Sequence, residues 1–259
     1  MSRPSVLITG ASAGIGAGYA DRFARRGHDL VLVARDEAKL HQLADRLRRA
    51  TGVAVDVVRA DLTVAAELAT VEHRLASDAR IGILVNNAGG ALPGKFVDQA
   101  VEDVDRLIQL NLTAAARLIK AVTPRFVAAG AGSIINLASV VALAPELTLT
   151  VYGATKAFLL YLSQGLQLEL GPRGVYVQAV LPAAIRTAIW DKAGVDVNTL
   201  QGVMSVDDLV DAALAGFDRK ELITIPPLPD ESAWKTFEAA RTAMGAGFYN
   251  SQPAPRYRG

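Results

Sequence analysis

The chain has 259 residues, and 51% of them are hydrophobic. That is enough to bury a substantial core and too many for a disordered chain. Lys and Arg number 27 against 26 Asp and Glu, so charge gives no ground for binding nucleic acid or an anionic membrane, and the absence of cysteine excludes disulfides and thiolate metal sites.

The first apolar run, Val6–Thr9, enters without a charged-then-apolar leader. It leads into Gly10-Ala-Ser-Ala-Gly14-Ile-Gly16. Glycines there permit a tight turn and close backbone approach, and a helix starting near Gly14 would present its N–H groups and positive dipole end to a pyrophosphate. The spacing is Gly-x3-Gly-x-Gly, not the commoner Gly-x-Gly-x2-Gly of dinucleotide folds. A second run, Leu30–Ala34, ends at Arg35-Asp36, roughly 20 residues on, where a ribose-reading residue belongs. Arg35 there can pair with a 2′-phosphate, which favours NADP over NAD, and Ser12 could add a hydroxyl to the same phosphate. Arg35 can equally be a solvated charge, and Asp36 either a helix N-cap or itself a ribose ligand.

In 37–49, Leu40, Leu43, Ala44 and Leu47 form one apolar stripe, which predicts a helix. The basic run Arg46-Leu-Arg-Arg49 reads as its exposed face. After the third run, Val53–Val58, Asp61 and Leu62 could reach an adenine edge, or Asp61 could cap the next helix. The fourth run, Ile81–Asn86, ends in Asn86-Asn87-Ala88-Gly89; strand ends on the carboxyl side are where open α/β sheets bind ligands. The two asparagines could also simply tie strands together. Ser133–Ala138, Val175–Leu181 and Leu222–Ile225 complete seven runs, with helical patterns between them. Continuous apolar runs alternating with helices predict a doubly wound, Rossmann-like α/β fold with a seven-stranded parallel sheet.

Ser139 follows the fifth run, and Tyr152 and Lys156 stand one helical turn apart in Val151-Tyr-Gly-Ala-Thr-Lys-Ala-Phe. A phenol near an ammonium can serve as an acid or base near neutral pH; by itself the pair is also an ordinary i, i+4 contact. The helix over 151–170 carries only Lys156 and Glu169 as charges. Such a helix needs cover on every side, so one side should meet the sheet and the other a second subunit. His28, His41 and His73 are scattered without a ligand pattern, and no metal site is expected.

Thr9-Gly10-x3-Gly14-Ile15-Gly16, Asp61, Asn86-Asn87-Ala88-Gly89, Asn111, Ser139, Tyr152-x3-Lys156, Pro182 and Thr187 occur in that order. Jointly they resemble the short-chain dehydrogenase/reductase family in its compact single-domain branch. The resemblance implies a catalytic tetrad of Asn111, Ser139, Tyr152 and Lys156. Tyr152 would give the proton, Ser139 would hold the carbonyl oxygen, and Lys156 would hold ribose hydroxyls and favour the phenolate. Asn111 would link Lys156 through water to solvent. Cofactor residues would be Gly10, Ser12, Gly14, Ile15, Gly16, Arg35, Asp61, Leu62, Asn87, Ala88, Gly89, Tyr152, Lys156, Pro182 and Thr187. One departure is Pro182-Ala183, where the family commonly has Pro-Gly.

The chain is read as a single domain over 1–259, with a substrate lid about 184–203 and a variable segment about 227–259. The candidate rim is apolar: Leu92, Pro93, Phe96, Val140, Val141, Ala142 and Leu143, with Ile185, Ile189, Trp190, Val195 and Val197 in the lid. A largely apolar ketone, aldehyde or secondary alcohol is expected, and a 3-oxoacyl thioester is the alternative substrate. Lys95 and Arg186 could read an acidic group or be plain loop charges. A non-catalytic NADP-binding regulator and an epimerase or dehydratase are the rival functions. The protein is expected to be soluble and cytoplasmic, and a homodimer or homotetramer.

Overall fold

The computed structural model describes residues 3–187 and 196–258. Seven strands, β1 (Ser5–Thr9), β2 (Leu30–Ala34), β3 (Val55–Arg59), β4 (Ile81–Asn86), β5 (Gly132–Leu137), β6 (Val175–Val180) and β7 (Ile223–Thr224), pair in parallel in the order β3-β2-β1-β4-β5-β6-β7. The predicted doubly wound sheet is therefore present. The edge strand β7 is shorter than its four-residue apolar run, and it is anchored by Leu181 N donating to Thr224 O at 2.8 Å.

Alternate residues along each strand feed two separate cores, as a period of two requires. Val6, Ile8, Leu30 and Leu32 face α1 (Gly14–Arg25), α2 (Glu37–Thr51) and α7 (Val206–Asp218). Leu7, Val31 and Val33 face α3 (Ala65–Ser77), α5 (Ala115–Ala129) and α6 (Thr150–Leu170). The α2 stripe is as its spacing predicts, with Leu40, Leu43, Ala44 and Leu47 buried. Asp36 caps α2, accepting from Lys39 N at 3.0 Å. Asp21, nearly buried on α1, accepts from Arg25 at 2.7 Å and from Arg46 of α2 at 3.1 Å, while Arg22 pairs with Asp211 of α7 at 2.8 Å. Those ion pairs tie α1, with the glycine turn at its start, to both neighbouring helices.

The helix pair α4 (Val101–Ile108) and α5 is joined by a widened π turn, Gln109–Ala114, that contains Asn111. Such turns insert an extra residue and redirect side chains, often at functional sites. Helix α6 is not covered all round: Tyr161 and Leu168 are each 80% exposed, whereas Phe158 and Leu162, as apolar in sequence, are half-buried. His28 Nδ1 meets Pro4 O at 2.7 Å, and burial lowers its pKa. Among the described residues, no acidic, His or Cys cluster could hold a metal, and no helix is long and apolar enough to cross a membrane.

The chain divides into two compact units, the second beginning at Pro227. Within that unit α8 (Ser232–Ala243) stacks Trp234 on Phe237, with ring centroids 5.5 Å apart.

Candidate active site

Strand order reverses between β1 and β4, so their carboxyl ends open a crevice between them. The crevice is closed at its base by side chain–backbone bonds. Thr9 Oγ1 accepts from Asn87 N and Ala88 N at 3.0 Å each and donates to Val85 O. Asn87 Nδ2 donates to Thr9 O at 2.9 Å and Gly10 O at 3.2 Å. Asn87 thus fixes the turn rather than offering a free amide.

Gly10 adopts φ +66, and a Cβ there would stand 2.8 Å from Asn87 Nδ2. A Cβ on Gly16 would lie 2.3 Å from Gly10 O; no side chain fits between the turn and α1. Gly14 has φ +55, and a Cβ on it would meet Thr187 Cγ2 at 3.2 Å, which puts Thr187 over the start of α1. Ile15 packs on the core beneath. A cavity lined by Gly10, Ser12, Arg35, Asp61, Leu62, Ala88 and Gly89 runs from this turn to the ends of β2 and β3. Arg35 lies there largely exposed, with a 3.8 Å contact to Asp61. Asp36 is turned away to its cap. Asp61 is not a helix cap: it accepts from Thr63 N at 2.9 Å and Thr63 Oγ1 at 2.7 Å in a local turn, and α3 begins only at Ala65.

On the far side of β4, Ser139 is buried at the end of β5. Its Oγ donates to Pro182 O at 3.1 Å and bonds with the Tyr152 side chain. Pro182 O also accepts from Val140 N at 3.0 Å. Burial raises the Tyr152 pKa, and the Ser139 bond partly opposes that rise. Lys156 Nζ donates to Leu137 O at 2.7 Å and stands 5.6 Å from the Tyr152 ring centroid. Its burial pushes its pKa down to about 8. In the protein alone, burial is the larger influence on the Tyr152 phenol and pushes its pKa up. Asn111 Oδ1 accepts from Gly90 N at 2.8 Å, and its Nδ2 donates to Gly90 O and Thr155 Oγ1, both at 3.0 Å. A Cβ on Gly89 would stand 3.2 Å from Asn111 Oδ1 and 3.6 Å from Lys156 Nζ, so a side chain there would crowd the ammonium.

Ala183 takes no left-handed conformation: the non-glycine residues with positive φ, among those described, are Thr148 and Lys220. The absent glycine is thus not missed by the backbone. Along the apolar rim, Phe96 is 60% exposed and Pro93 is exposed. Gln99 Nε2 gathers the carbonyls of Leu92, Pro93 and Gly94 at 3.5, 3.3 and 3.2 Å, a loop clamp the sequence did not signal. Lys95 is exposed, and Arg186 Nη1 donates to Asn198 Oδ1 at 2.9 Å. In the lid candidate, Ile185 is a core residue bridged to Met204, and Val197 lies in a short 3-10 turn. Ile189, Trp190 and Val195 fall outside the described residues. Thr9, Gly90 and Thr155 were not among the expected site residues; their only signal was adjacency to Gly10, Gly89 and Lys156.

Comparison with known proteins gives a consistent result. A family model described as short chain dehydrogenase matches residues 4–198. A short-chain dehydrogenase from Sphingobium yanoikuyae in complex with NADPH superposes with a TM-score of 0.97 at 62% identity, over 98% of this chain and 100% of that one. The bulky-bulky ketone specific alcohol dehydrogenase from Comamonas testosteroni gives 0.94 at 55% identity, over 100% of both chains. An uncharacterized oxidoreductase of Staphylococcus epidermidis is 36% identical over 186 residues, 70% of this chain and 77% of that protein.

Proposed function

The chain belongs to the short-chain dehydrogenase family of oxidoreductases, and from that premise we propose that it interconverts a largely apolar ketone or aldehyde with its alcohol, using NADP(H) in preference to NAD(H). The observation that carries this is a phenol, a serine hydroxyl and a buried ammonium gathered near the carboxyl ends of β4 and β5.

The site fits a dinucleotide. Gly10 and Gly16 leave no room for side chains at the turn, and Gly14 leaves a gap only up to Thr187. At the other end of the cavity, Arg35 and Ser12 offer a cation and a hydroxyl, with the Asp36 carboxylate committed elsewhere. That donor set suits a ribose 2′-phosphate better than a free 2′-hydroxyl. The solved Sphingobium relative, in complex with NADPH, supports the same choice. When bound, the nicotinamide supplies or accepts the hydride.

The chain's own residues supply the rest. Ser139 Oγ can turn from Pro182 O to a substrate oxygen and fix its position. Tyr152 can give its proton to that oxygen, because burial keeps the phenol protonated until it is needed. Lys156 brings a positive charge into a desolvated place, where it favours the phenolate left behind. Asn111 anchors the loop at Gly90 against α6. The exposed apolar rim at Pro93 and Phe96 suits a bulky apolar substrate. The Comamonas relative, named for bulky-bulky ketones, points the same way. A panel of alkyl and aryl ketones assayed with NADPH and NADH should show the highest kcat/KM for bulky apolar ketones with NADPH. Turnover confined to small polar carbonyls would remove the substrate reading.

Arg35→Ala should weaken NADPH binding by a charge-assisted contact of on the order of 1.5–3 kcal/mol and leave NADH binding nearly unchanged. Titrating both reduced cofactors by fluorescence checks this, and equal losses would show that Arg35 does not read the phosphate.

The reading includes a homo-oligomer built on α6, whose exposed Tyr161 and Leu168 lie two helical turns apart on one face, with Gly165 open between them. Leu168→Asp should split the assembly in light scattering at micromolar concentration. A wild-type monomer under those conditions would contradict it.

A further inference from the structure

We propose that Thr155 is a positioning residue for proton transfer: its hydroxyl couples the Asn111 side chain to the main chain of Tyr152, and so sets where the phenol stands. This rests on the assignment of Tyr152 as the proton donor. Thr155 is 2% exposed and Asn111 1% exposed, so both are shielded from bulk solvent.

The hydrogen bonds leave the pair one arrangement. Gly90 N needs an acceptor and Gly90 O needs a donor, and they take Asn111 Oδ1 and Nδ2 at 2.8 and 3.0 Å. That fixes the amide orientation. The second Nδ2 hydrogen then points at Thr155 Oγ1, 3.0 Å away. Thr155 has one hydrogen, and it donates to Tyr152 O at 2.8 Å. A single chain of bonds therefore runs from the loop after β4, through the π turn, to the first turn of α6. Each side-chain hydrogen in it is used once.

Helix α6 has no side-chain N-cap, so its first turn has no other such tether at its start. That turn carries Tyr152, and the next carries Lys156. Lys156 is separately held by Leu137 O. Tyr152, by contrast, lies four residues nearer the free end, and the Thr155 bond is what ties its carbonyl to the anchored loop. A threonine bonding back to the residue three before it tilts a carbonyl and bends a helix locally. Here the bond holds the main chain of the residue whose phenol meets Ser139. A displacement of about 1 Å in such a group can cost on the order of 100-fold in rate.

The test compares Thr155→Val, which keeps the shape and deletes the hydroxyl, with Thr155→Ser, which keeps the hydroxyl. The probes are NADPH and the best ketone of the panel, and rates are referred to sites that bind NADPH by titration. Thr155→Val should lose on the order of 10- to 100-fold in kcat, with KM for the ketone and Kd for NADPH within about 3-fold of wild type. Thr155→Ser should return to within about 3-fold of wild-type kcat. Should Thr155→Val not fold, Thr155→Cys, of similar size but a weaker hydrogen-bonder, is read against the same limits. Thr155→Val, or Thr155→Cys in its place, with wild-type kcat per NADPH-binding site overturns the proposal, as does a loss that Thr155→Ser does not repair. Tyr152→Phe is run beside them. If it remains active, the proton-donor assignment itself falls; if it is inactive while Thr155→Val is not, only the coupling falls.

Discussion

Tyr152→Phe should lower kcat by on the order of 10²–10⁴-fold, the usual worth of a positioned general acid, while NADPH still binds within a few-fold of wild type. The variant loses one oxygen and keeps the ring. Packing on α6 and the approach of Lys156 to the ring face are therefore retained. What is lost is the proton, and with it the bond to Ser139. Because burial holds the phenol above its ordinary pKa, the donor form predominates at neutral pH and is lost only in alkaline solution. The rate of ketone reduction by wild type should therefore be flat around neutrality and fall on the alkaline side. Steady-state kinetics alongside a binding titration separate the two effects. A variant retaining more than about a tenth of wild-type kcat would be incompatible with Tyr152 as the acid.

The second large effect has opposite signs for activity and stability. Lys156→Met should abolish turnover and raise the melting temperature of the cofactor-free protein. The ammonium is buried, and burial is the cause of its descent to about 8 from the ordinary 10.5. That difference is a burden on the folded state of on the order of 3 kcal/mol, of which Met, similar in length and apolar, should recover a part. The burden is full below about 8, where the folded protein holds the charge. It is relieved as pH rises from about 8 to 10.5, because there the unfolded chain binds the extra proton. The stabilisation by Lys156→Met should therefore be largest near pH 7 and shrink at pH 10. Differential scanning calorimetry at both values reads it directly. A lower melting temperature for the variant at pH 7 would mean that the Leu137 O bond outweighs the desolvation.

The sheet was legible because most of its strands are buried on both faces, so most runs are continuous and need no help from phase. Helix α2 was legible for the opposite reason: one face is buried, and Leu40, Leu43, Ala44 and Leu47 mark it. Helix α6 misled on one point. With few charges, its sequence does not distinguish Phe158 and Leu162, which lean on the body, from Tyr161 and Leu168, which do not. Only tertiary packing decides that.

At the site, residue types were readable where a side chain's chemistry is scarce, as for Tyr152 beside Lys156 or Arg35 at a strand end. Roles that depend on which way an amide or carboxylate turns were not. Asn87 is committed to Thr9 O and Gly10 O, Asp61 to Thr63, and Asp36 to Lys39 N. Each sits at the expected place and spends hydrogen bonds on its local turn or cap. Thr155 shows the converse. A threonine in mid-helix carries no motif of its own, and only the meeting of the π turn with α6 gives it two partners. Ala183 in place of the usual glycine could not be weighed without the backbone angles, which turn out not to require glycine.

The central claim is that hydride passes directly between a nicotinamide and a carbonyl carbon held at Ser139 and Tyr152. The most direct test is a single turnover of a bulky aryl ketone with NADPH carrying deuterium at the transferring position of the ring, followed by mass and NMR analysis of the alcohol. The account predicts one deuterium on the carbinol carbon with wild type and none formed by Tyr152→Phe on the same time scale. Tight NADPH binding with no labelled alcohol from any ketone of the panel would contradict it, and would leave a protein that holds the dinucleotide without using it.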